Sequence, residues 1–260
     1  MIIRRRMIKS FLLLSVLFIA AGCNKNSVNI YKLSPEEQFE YALKYYEKGD
    51  YYRAKTSLSV IVLNNPGNII VEKAQFYLAE TYYQNKEYVL AIQEYLKLIR
   101  SLPQSEFVDD SEFKIAMCYY KLSPNYALDQ EYTQKAITHF QQFIENHPQS
   151  ELIVKANAIL GECWEKLAKK EFKTGELYRK MGYFDSAVIS FDQLLQDYPE
   201  SSFVPEAIFW KGVCYLEMKK YDEARESFTK LVEQYPDTNL SEKALKKIGE
   251  IEVESNGKEE

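Results

Sequence analysis

The sequence predicts an all-α protein, a solenoid of five helical hairpins closed by a C-terminal capping helix. Internal repetition carries this prediction, because five copies of one pattern follow one another along 260 residues. Apolar residues recur at helical spacing within each copy, and only 9 glycines and 8 prolines interrupt the chain. Each copy ends at a proline with an alanine 12 residues upstream; the pairs are Ala54 and Pro66, Ala91 and Pro103, Ala136 and Pro148, Ala187 and Pro199, and Ala224 and Pro236.

The alanine marks the second helix of each hairpin. In the first copy, Tyr51, Ala54 and Leu58 begin an apolar stripe that continues through Ile61, and Pro66 ends the helix because proline cannot continue it. A large side chain stands four positions after the alanine in every copy: Leu58, Tyr95, Phe140, Phe191 and Phe228. The repeated stripe therefore predicts a helix of three to four turns that is buried along one face.

A small residue marks the first helix, followed three positions later by tyrosine. The pairs are Ala42 and Tyr45, Ala79 and Tyr82, Ala116 and Tyr119, Gly175 and Tyr178, and Gly212 and Tyr215. The small residue precedes the alanine of the second helix by 12 positions. In the third copy the interval is 20, because eight extra residues are inserted around Ser123-Pro124-Asn125. Facing small residues let the two helix axes approach closely, so larger side chains there would overpack the hairpin.

A polar residue stands two positions after each proline and predicts how one copy joins the next. These residues are Asn68, Ser105, Ser150, Ser201 and Thr238. Each can accept a hydrogen bond from the free N–H groups of the following helix, so we expect each copy to cap its successor.

The complete pattern resembles the tetratricopeptide repeat (TPR), in which hairpins stack into a right-handed superhelix. The copies span about Ser34–Pro66, Ile70–Pro103, Phe107–Pro148, Leu152–Pro199 and Phe203–Pro236. The first helix of the fourth copy is unusually long, from about Leu152 to Lys180. We divide the chain into repeats one to three at residues 34–148 and repeats four and five at residues 149–254. The second part includes an amphipathic capping helix, Asn239 to Glu254, and residues 255–260 form a polar tail.

The N-terminus predicts export. Basic residues precede an apolar run, Phe11 to Ala21, that is too short to span a membrane, as in a secretory signal peptide at residues 1–22. The segment Ala20-Ala21-Gly22-Cys23 resembles a lipobox, which implies cleavage between Gly22 and Cys23 and acyl chains such as palmitate on Cys23. The alternative is an ordinary secretory signal that ends by chance at a cysteine. Residues 23–33 would then be a lipidated tether, and Asn24 favours the outer membrane by resemblance.

Charge and composition exclude several classes of function. The net charge is −5, and it becomes −9 once residues 1–22 and their four basic side chains are removed, which argues against nucleic-acid binding. With two histidines and widely spaced cysteines, we expect no metal site. The chain has no phosphate-binding glycine motif and no nucleophile beside a base, so we expect no cofactor and no enzymatic activity. Cys118, Cys163 and Cys214 lie in apolar helical patterns and are expected to be buried thiols.

Aromatic residues on the first helices are the candidate binding residues. A phenylalanine precedes the small residue by three positions, and a tyrosine follows that phenylalanine by seven positions in repeats one to three. Residues seven apart share a helix face, and in a TPR superhelix the first helices line the concave side. The pairs Phe39 and Tyr46, Phe76 and Tyr83, and Phe113 and Tyr120 could therefore form a groove for an extended peptide. The alternative for the phenylalanines is core packing, and the tyrosines are the better candidates because they combine ring area with a polar tip.

Local motifs resemble the BamD family of outer-membrane β-barrel assembly lipoproteins over residues 11–254. They include Pro35-Glu36-Glu37 before Tyr41-Ala42, Leu128-Asp129-Gln130 before Tyr132-Thr133, and the block from Leu167 to Phe184. The resemblance implies a lipid-anchored scaffold on the periplasmic face of the outer membrane. Its implied partners are a BamA-type barrel subunit, other lipoproteins of the BAM machinery and unfolded outer-membrane proteins. The alternative is another TPR lipoprotein that coordinates cell-wall synthesis or envelope constriction.

One position departs from the family pattern. Enterobacterial members of the family carry an arginine nine residues before the fourth-repeat proline, where it pairs with an acidic residue of the barrel subunit, but this chain has Ser190 there. Arg179, Lys180 and Arg225 could supply the positive charge instead. Together with Ser190 they are the candidate residues for partner docking.

Overall fold

A computed structural model describes residues 30–256, and the structural statements below concern this range. The predicted signal peptide, Cys23 with most of the tether, and residues 257–260 lie outside it. The described chain forms a short 3-10 turn at Ile30–Lys32 and eleven α-helices, and none of it is β-strand. The helices are α1 (Pro35–Glu47), α2 (Tyr51–Asn64), α3 (Ile70–Gln84), α4 (Tyr88–Ser101), α5 (Val108–Leu122), α6 (Glu131–Asn146), α7 (Ile153–Lys180), α8 (Phe184–Asp197), α9 (Val204–Glu217), α10 (Tyr221–Gln234) and α11 (Asn239–Asn256).

Helices that follow one another in the sequence pack against one another, which confirms the predicted solenoid. The hairpins are α1 with α2, α3 with α4, α5 with α6, α7 with α8, and α9 with α10, while α11 packs on α10 as the predicted cap. Most contacts therefore join neighbouring helices, as expected of a repeat array in which each unit buries its apolar face against the next.

Three-residue turns close four of the five hairpins, and the middle residue of each has left-handed backbone geometry. Two of these residues are glycines, Gly49 with φ 73° and Gly182 with φ 81°. The other two are lysines, Lys86 with φ 62° and Lys219 with φ 59°. Positive φ suits glycine because it lacks Cβ, so the two lysine turns are strained relative to the two glycine turns.

All five predicted polar residues accept a backbone hydrogen bond, but only Asn68 and Thr238 bond a residue within the next helix. Asn68 accepts from the backbone N–H of Ile70 at 2.9 Å. The serines at the next three junctions accept in the same way from the residue two positions ahead, at 3.2 to 3.3 Å. Thr238 accepts from the N–H of Ser241 at 3.2 Å. Asn68 and Thr238 therefore satisfy a donor that the helix start leaves free, whereas the three serines bond the residue just before the helix.

The small residues are the points of closest approach within the hairpins. All five alanines of the second helices are fully buried, as are Ala42, Ala79 and Ala116. In the last two hairpins glycine replaces alanine, and a phenylalanine ring fills the space. A Cβ built on Gly175 would lie 2.6 Å from the Phe191 ring, and one on Gly212 would lie 2.7 Å from the Phe228 ring.

Helix α7 is long because it serves two neighbours. Its N-terminal half packs with α6, where Ile159 and Cys163 join Phe140 and Phe143 in one core cluster. Its C-terminal half pairs with α8, so that Phe172 lies beside Phe191 at 5.9 Å between ring centroids. The predicted bounds, about Leu152 to Lys180, agree with the structure to within one residue.

The eight-residue insertion lies between α5 and α6 and is held by lysines of α7. Lys166 donates to the Ser123 hydroxyl at 2.7 Å, and Lys170 donates to the Leu128 carbonyl at 2.9 Å. Lys169 lies over the Tyr126 ring, 4.9 Å from its centroid. The insertion is therefore part of the wall between repeats three and four.

The three cysteines of the described chain are buried free thiols. Burial raises the pKa of Cys118 to about 12 and that of Cys163 and Cys214 to about 11, which keeps all three protonated and unreactive. Among the eleven helices, none combines the length and the apolar character that a membrane span requires.

Candidate functional site

The phenylalanines of the predicted groove belong mainly to the core. Phe39 is 6% exposed and Phe113 is 2% exposed, so the core alternative holds for both. Phe113 packs edge-on against Phe140 and Phe143. Phe76 is half-buried and stacks on Phe107 with centroids 4.8 Å apart. These rings position the first helices and leave the tyrosines as the groove candidates.

Tyr46 is the first of the three half-buried tyrosines. Its ring meets Tyr77 of the next repeat edge to face, at 5.5 Å and 90°. Burial raises the pKa of Tyr46 to about 12, with a further contribution from the Glu80 carboxylate. The phenol therefore stays protonated at neutral pH and can donate a hydrogen bond to a ligand.

Tyr83 occupies the same place one repeat later, and its neighbour is a cation. The ammonium of Lys114 lies 4.8 Å from the centroid of the Tyr83 ring, in cation–π contact. Burial raises the pKa of this phenol as well, to about 12. The pair places a ring and a positive charge side by side between repeats two and three.

A buried carboxylate fixes that lysine. Glu80 is 6% exposed and pairs with the Lys114 ammonium at 2.6 Å. The fully buried Tyr95 hydroxyl donates to the same carboxylate oxygen. Burial and the Glu80 charge both raise the pKa of Tyr95, so this phenol remains a donor. Because a buried charge needs partners, removing either Lys114 or Tyr95 would leave Glu80 poorly satisfied.

Tyr120, the third tyrosine, contacts the long helix. Its hydroxyl donates to the Glu162 carboxylate, and the ammonium groups of Lys121 and Lys166 lie 5.5 and 5.7 Å from its ring centroid. The Glu162 hydrogen bond, followed by burial, raises the pKa of Tyr120 to about 12. The ring is therefore surrounded by charged groups, unlike Tyr46.

The docking candidates are placed on three helices. The guanidinium carbon of Arg179 in α7 lies over the Trp210 ring, 4.0 Å from its centroid, and the buried Nε of Arg179 has no hydrogen-bond partner within the described chain. Lys180 is exposed beside Glu176, at 3.9 Å. Ser190 of α8 is 8% exposed, and its hydroxyl donates to the Ser186 carbonyl at 3.2 Å. Because Ser190 is buried and satisfied, it offers a partner little surface.

Arg225 stands apart from this group. It lies on α10, where its guanidinium pairs with the exposed Asp222 at 3.1 Å. The structure brings Arg179 and Lys180 together at the end of α7, and it records no contact between them and Arg225.

A repeated contact between first helices is the feature that sequence reasoning missed. The residue seven positions after the first-helix phenylalanine contacts a residue 31 positions later in three cases: Tyr46 with Tyr77, Tyr83 with Lys114, and Arg179 with Trp210. The second members are tyrosine, lysine and tryptophan, so no shared chemistry marks them. Only the constant interval could have revealed the pairs, which we call the inter-repeat rungs.

Histidines and metal-binding groups add no further site to the described chain. His139 stacks on Tyr119 at 4.9 Å, and burial lowers its pKa. His147 lies 3.0 Å from the Glu112 carboxylate at the end of α6. Residues 30–256 contain no cluster of three or more His, Cys, Asp or Glu side chains that could hold a metal ion.

Comparison with known proteins gave one family and a group of repeat folds. A family model described as YfiO, outer membrane lipoprotein, matches residues 32–227. A search of curated proteins found no match.

Similar solved structures include several TPR proteins. The TPR2AB-domain:pHSP90 complex of yeast Sti1 is 14% identical, with a TM-score of 0.45 over 85% of this chain and 84% of that chain. A thermophilic TPR protein of Thermus thermophilus, TTC0263, is 21% identical, with a TM-score of 0.35 over 83% and 99% of the two chains. YrrB, a TPR protein with an unusual peptide-binding site, is 18% identical, with a TM-score of 0.37 over 80% and 90%.

Proposed function

The chain belongs to the YfiO family of outer membrane lipoproteins, and from this membership we propose that it is a scaffold of the β-barrel protein assembly machinery. In this proposal Cys23 carries the lipid anchor, and the solenoid faces the periplasm. The first three repeats receive the C-terminal segments of unfolded outer-membrane proteins, and the last two repeats dock a BamA-type barrel subunit and other lipoproteins of the machinery.

The row of protonated tyrosines supports the peptide-binding part of the proposal. Tyr46, Tyr83 and Tyr120 recur on the first helices of consecutive repeats, and each is half-buried with a phenol pKa of about 12. Such a row offers rings for aromatic side chains, and the Tyr46 and Tyr83 hydroxyls can donate to the carbonyls of an extended peptide, whereas the Tyr120 hydroxyl donates to Glu162.

A peptide titration tests this part. The probe is a fluorescent peptide with the sequence of a porin C-terminus, and the protein is the mature chain. We expect the double variant Tyr46→Ala, Tyr83→Ala to bind about tenfold more weakly, because two aromatic contacts of about 0.5–1.5 kcal/mol are lost. The matched control replaces Tyr52 and Tyr183 by alanine, since both are exposed and lie outside the row. Equal affinity of the two double variants, with both folded, would refute the groove.

The end of α7 supports the docking part. Arg179 has an unsatisfied Nε and lies over Trp210, and three large apolar side chains near it in the sequence are exposed: Leu177, Met181 and Tyr183. Arginine and tryptophan are enriched among the residues that dominate the binding energy of protein interfaces. Lys180 and Arg225 would add charge at its edge.

Co-purification tests this part. Wild-type protein extracted with detergent from the membrane fraction should retain a BamA-type barrel subunit, and Arg179→Ala should lose most of it. The matched control is Arg53→Ala, because Arg53 also lies over a ring, 5.3 Å from the centroid of Tyr45, at the other end of the solenoid. Retention of peptidoglycan synthases instead of a barrel subunit would support the cell-wall alternative. Cys23→Ser should release the protein from the membrane fraction.

A further inference from the structure

Helix α7 contains the first-helix pattern twice. In repeats two, three and five the small residue stands 13 positions after the proline that ends the preceding repeat, at Ala79, Ala116 and Gly212. In the fourth repeat the residue 13 positions after Pro148 is Gly161, but the glycine on which α8 packs is Gly175. The two glycines are 14 residues apart, close to four helical turns, so they lie on nearly the same side of α7.

The N-terminal half of α7 also keeps the buried residue that is shared by the other first helices. The residue eight positions after the proline is fully buried in all four repeats: Ala74, Ser111, Ala156 and Ala207. The N-terminal half of α7 therefore packs on the preceding repeat as a normal first helix does. What it lacks is a second helix of its own.

Gly161 is consequently exposed. A Cβ built there would meet no atom within 4 Å, in contrast to Gly175 and Gly212, which are covered by phenylalanine rings. On the same face Trp164 is 37% exposed and Val154 is 82% exposed. The face is uncovered because the chain runs on for four more turns before α8 returns.

Two cavities meet at this face and form one open groove. The first, about 280 Å³, is walled by Trp164, Tyr198 and Pro199. The second, about 690 Å³, is walled by the insertion at Pro124 and Tyr126. Gly161 and Glu165 line both cavities.

The first cavity has acidic edges. Its charged lining residues are Glu165, Asp197 and Glu200, and none of its lining residues is basic, whereas the second cavity is also lined by Glu162, Lys166 and Lys169. A ligand that places lysine or arginine at this edge would gain electrostatic attraction, and one with acidic flanks would be repelled.

We propose that the groove along Gly161 and Trp164 is a docking site for an amphipathic helix of a partner protein. The helix places a large apolar side chain over Gly161, as Phe191 does over Gly175, and basic side chains toward Glu165, Asp197 and Glu200. Five times in this molecule a second helix covers the small residue of a first helix, and the sixth such position is open. The proposal is independent of the tyrosine row and of any BAM partner.

The test uses helical peptides whose sequence is based on α8, the helix that covers Gly175. A hydrocarbon-stapled, fluorescent peptide copies α8, Phe184–Asp197, with its three aspartates replaced by lysine; a second peptide keeps the aspartates. Binding to the mature chain is followed by fluorescence anisotropy. We expect the basic peptide to bind at least about tenfold more tightly than the acidic one, and the difference to shrink at high salt.

Gly161→Leu blocks the groove and is the decisive variant. It should weaken binding of the basic peptide at least about tenfold, since leucine fills the space meant for the apolar side chain. Gly249→Leu on α11 is the matched control, because a Cβ there also meets nothing within 4 Å. Thermal unfolding confirms that both variants fold.

Three results would overturn the proposal. The first is equal binding of the basic and acidic peptides, and the second is unchanged binding by Gly161→Leu. The third is a wild-type dimer that Gly161→Leu converts to a monomer in sedimentation, because the occupant would then be a second copy of the chain.

Discussion

Gly175 and Gly212 determine how closely the last two hairpins pack. A phenylalanine stands opposite each glycine, whereas the alanines of the first three hairpins face leucine, tyrosine or phenylalanine. The short Cβ distances mean that even one methyl group would displace a fully buried ring.

We predict that Gly175→Ala destabilises the protein by about 1–2 kcal/mol, because overpacking costs more than the roughly 1 kcal/mol that alanine gains over glycine in a helix. Gly161→Ala in the same helix is the control, and it should stabilise by about 0.5–1 kcal/mol because a Cβ there meets nothing. Urea unfolding of both variants measures the difference. A stabilised Gly175→Ala would show that the Phe191 ring moves at no cost.

At the residue scale, sequence reasoning found positions better than partners. It identified Tyr46, Tyr83 and Tyr120 because they recur at one place in the pattern. It did not identify Glu80 or Lys114, because a buried ion pair between repeats depends on how two helices meet in space. Helical periodicity shows which residues share a face of one helix, but it does not show which residues of another helix that face contacts.

The hairpin turns decide how each pair of helices reverses direction. Four turns share one geometry, but only Gly49 and Gly182 are suited to its left-handed residue. Lys86 and Lys219 adopt the same backbone angles with a Cβ present. The two lysine turns should therefore lower the free energy of unfolding relative to glycine at the same positions, and substitutions can measure this difference.

We predict that Lys219→Gly stabilises the protein by about 0.5–1 kcal/mol, because glycine relieves the strain of positive φ. The reverse change, Gly182→Ala, should destabilise by about 1 kcal/mol for the same reason. Thermal and urea unfolding provide the values. A loss of stability in Lys219→Gly would mean that the 3.3 Å pair between Lys220 and Asp185, or other local contacts, govern this turn instead.

The long helix shows where element prediction reached its limit. Its bounds could be predicted because Pro148 precedes it and Gly182 follows it. Its double pattern is hidden from a count in one direction, because 12 positions before Ala187 lies Gly175, whereas 13 positions after Pro148 lies Gly161. Each glycine marks one half of α7. Only the structure shows that the N-terminal half packs on α6 and the C-terminal half packs on α8.

At the scale of the whole molecule, stability is a sum of neighbouring contacts. Ala244 and Ile251 of α11 are buried in the same cluster as Phe228 and Leu231 of α10. The cap therefore covers the last hairpin, and its contacts with described residues are confined to the C-terminal end.

We predict that a chain truncated after Thr238 exposes this cluster, unfolds locally at α9 and α10, and aggregates more readily. Hydrogen exchange should show faster exchange in the last hairpin and unchanged protection in α1 to α4, since those helices lie at the other end of the solenoid. A uniform loss of protection along the chain would contradict a stability that is built from neighbouring units.

The inter-repeat rungs have a mechanical consequence. Each rung joins one repeat only to the next, so a load applied between the two ends is shared along the series of junctions. A small change in angle at every junction adds up to a large change in the distance between the ends. The distance between the ends of the described solenoid therefore depends on the sum of many small packing angles, and it can change while each hairpin keeps its own packing.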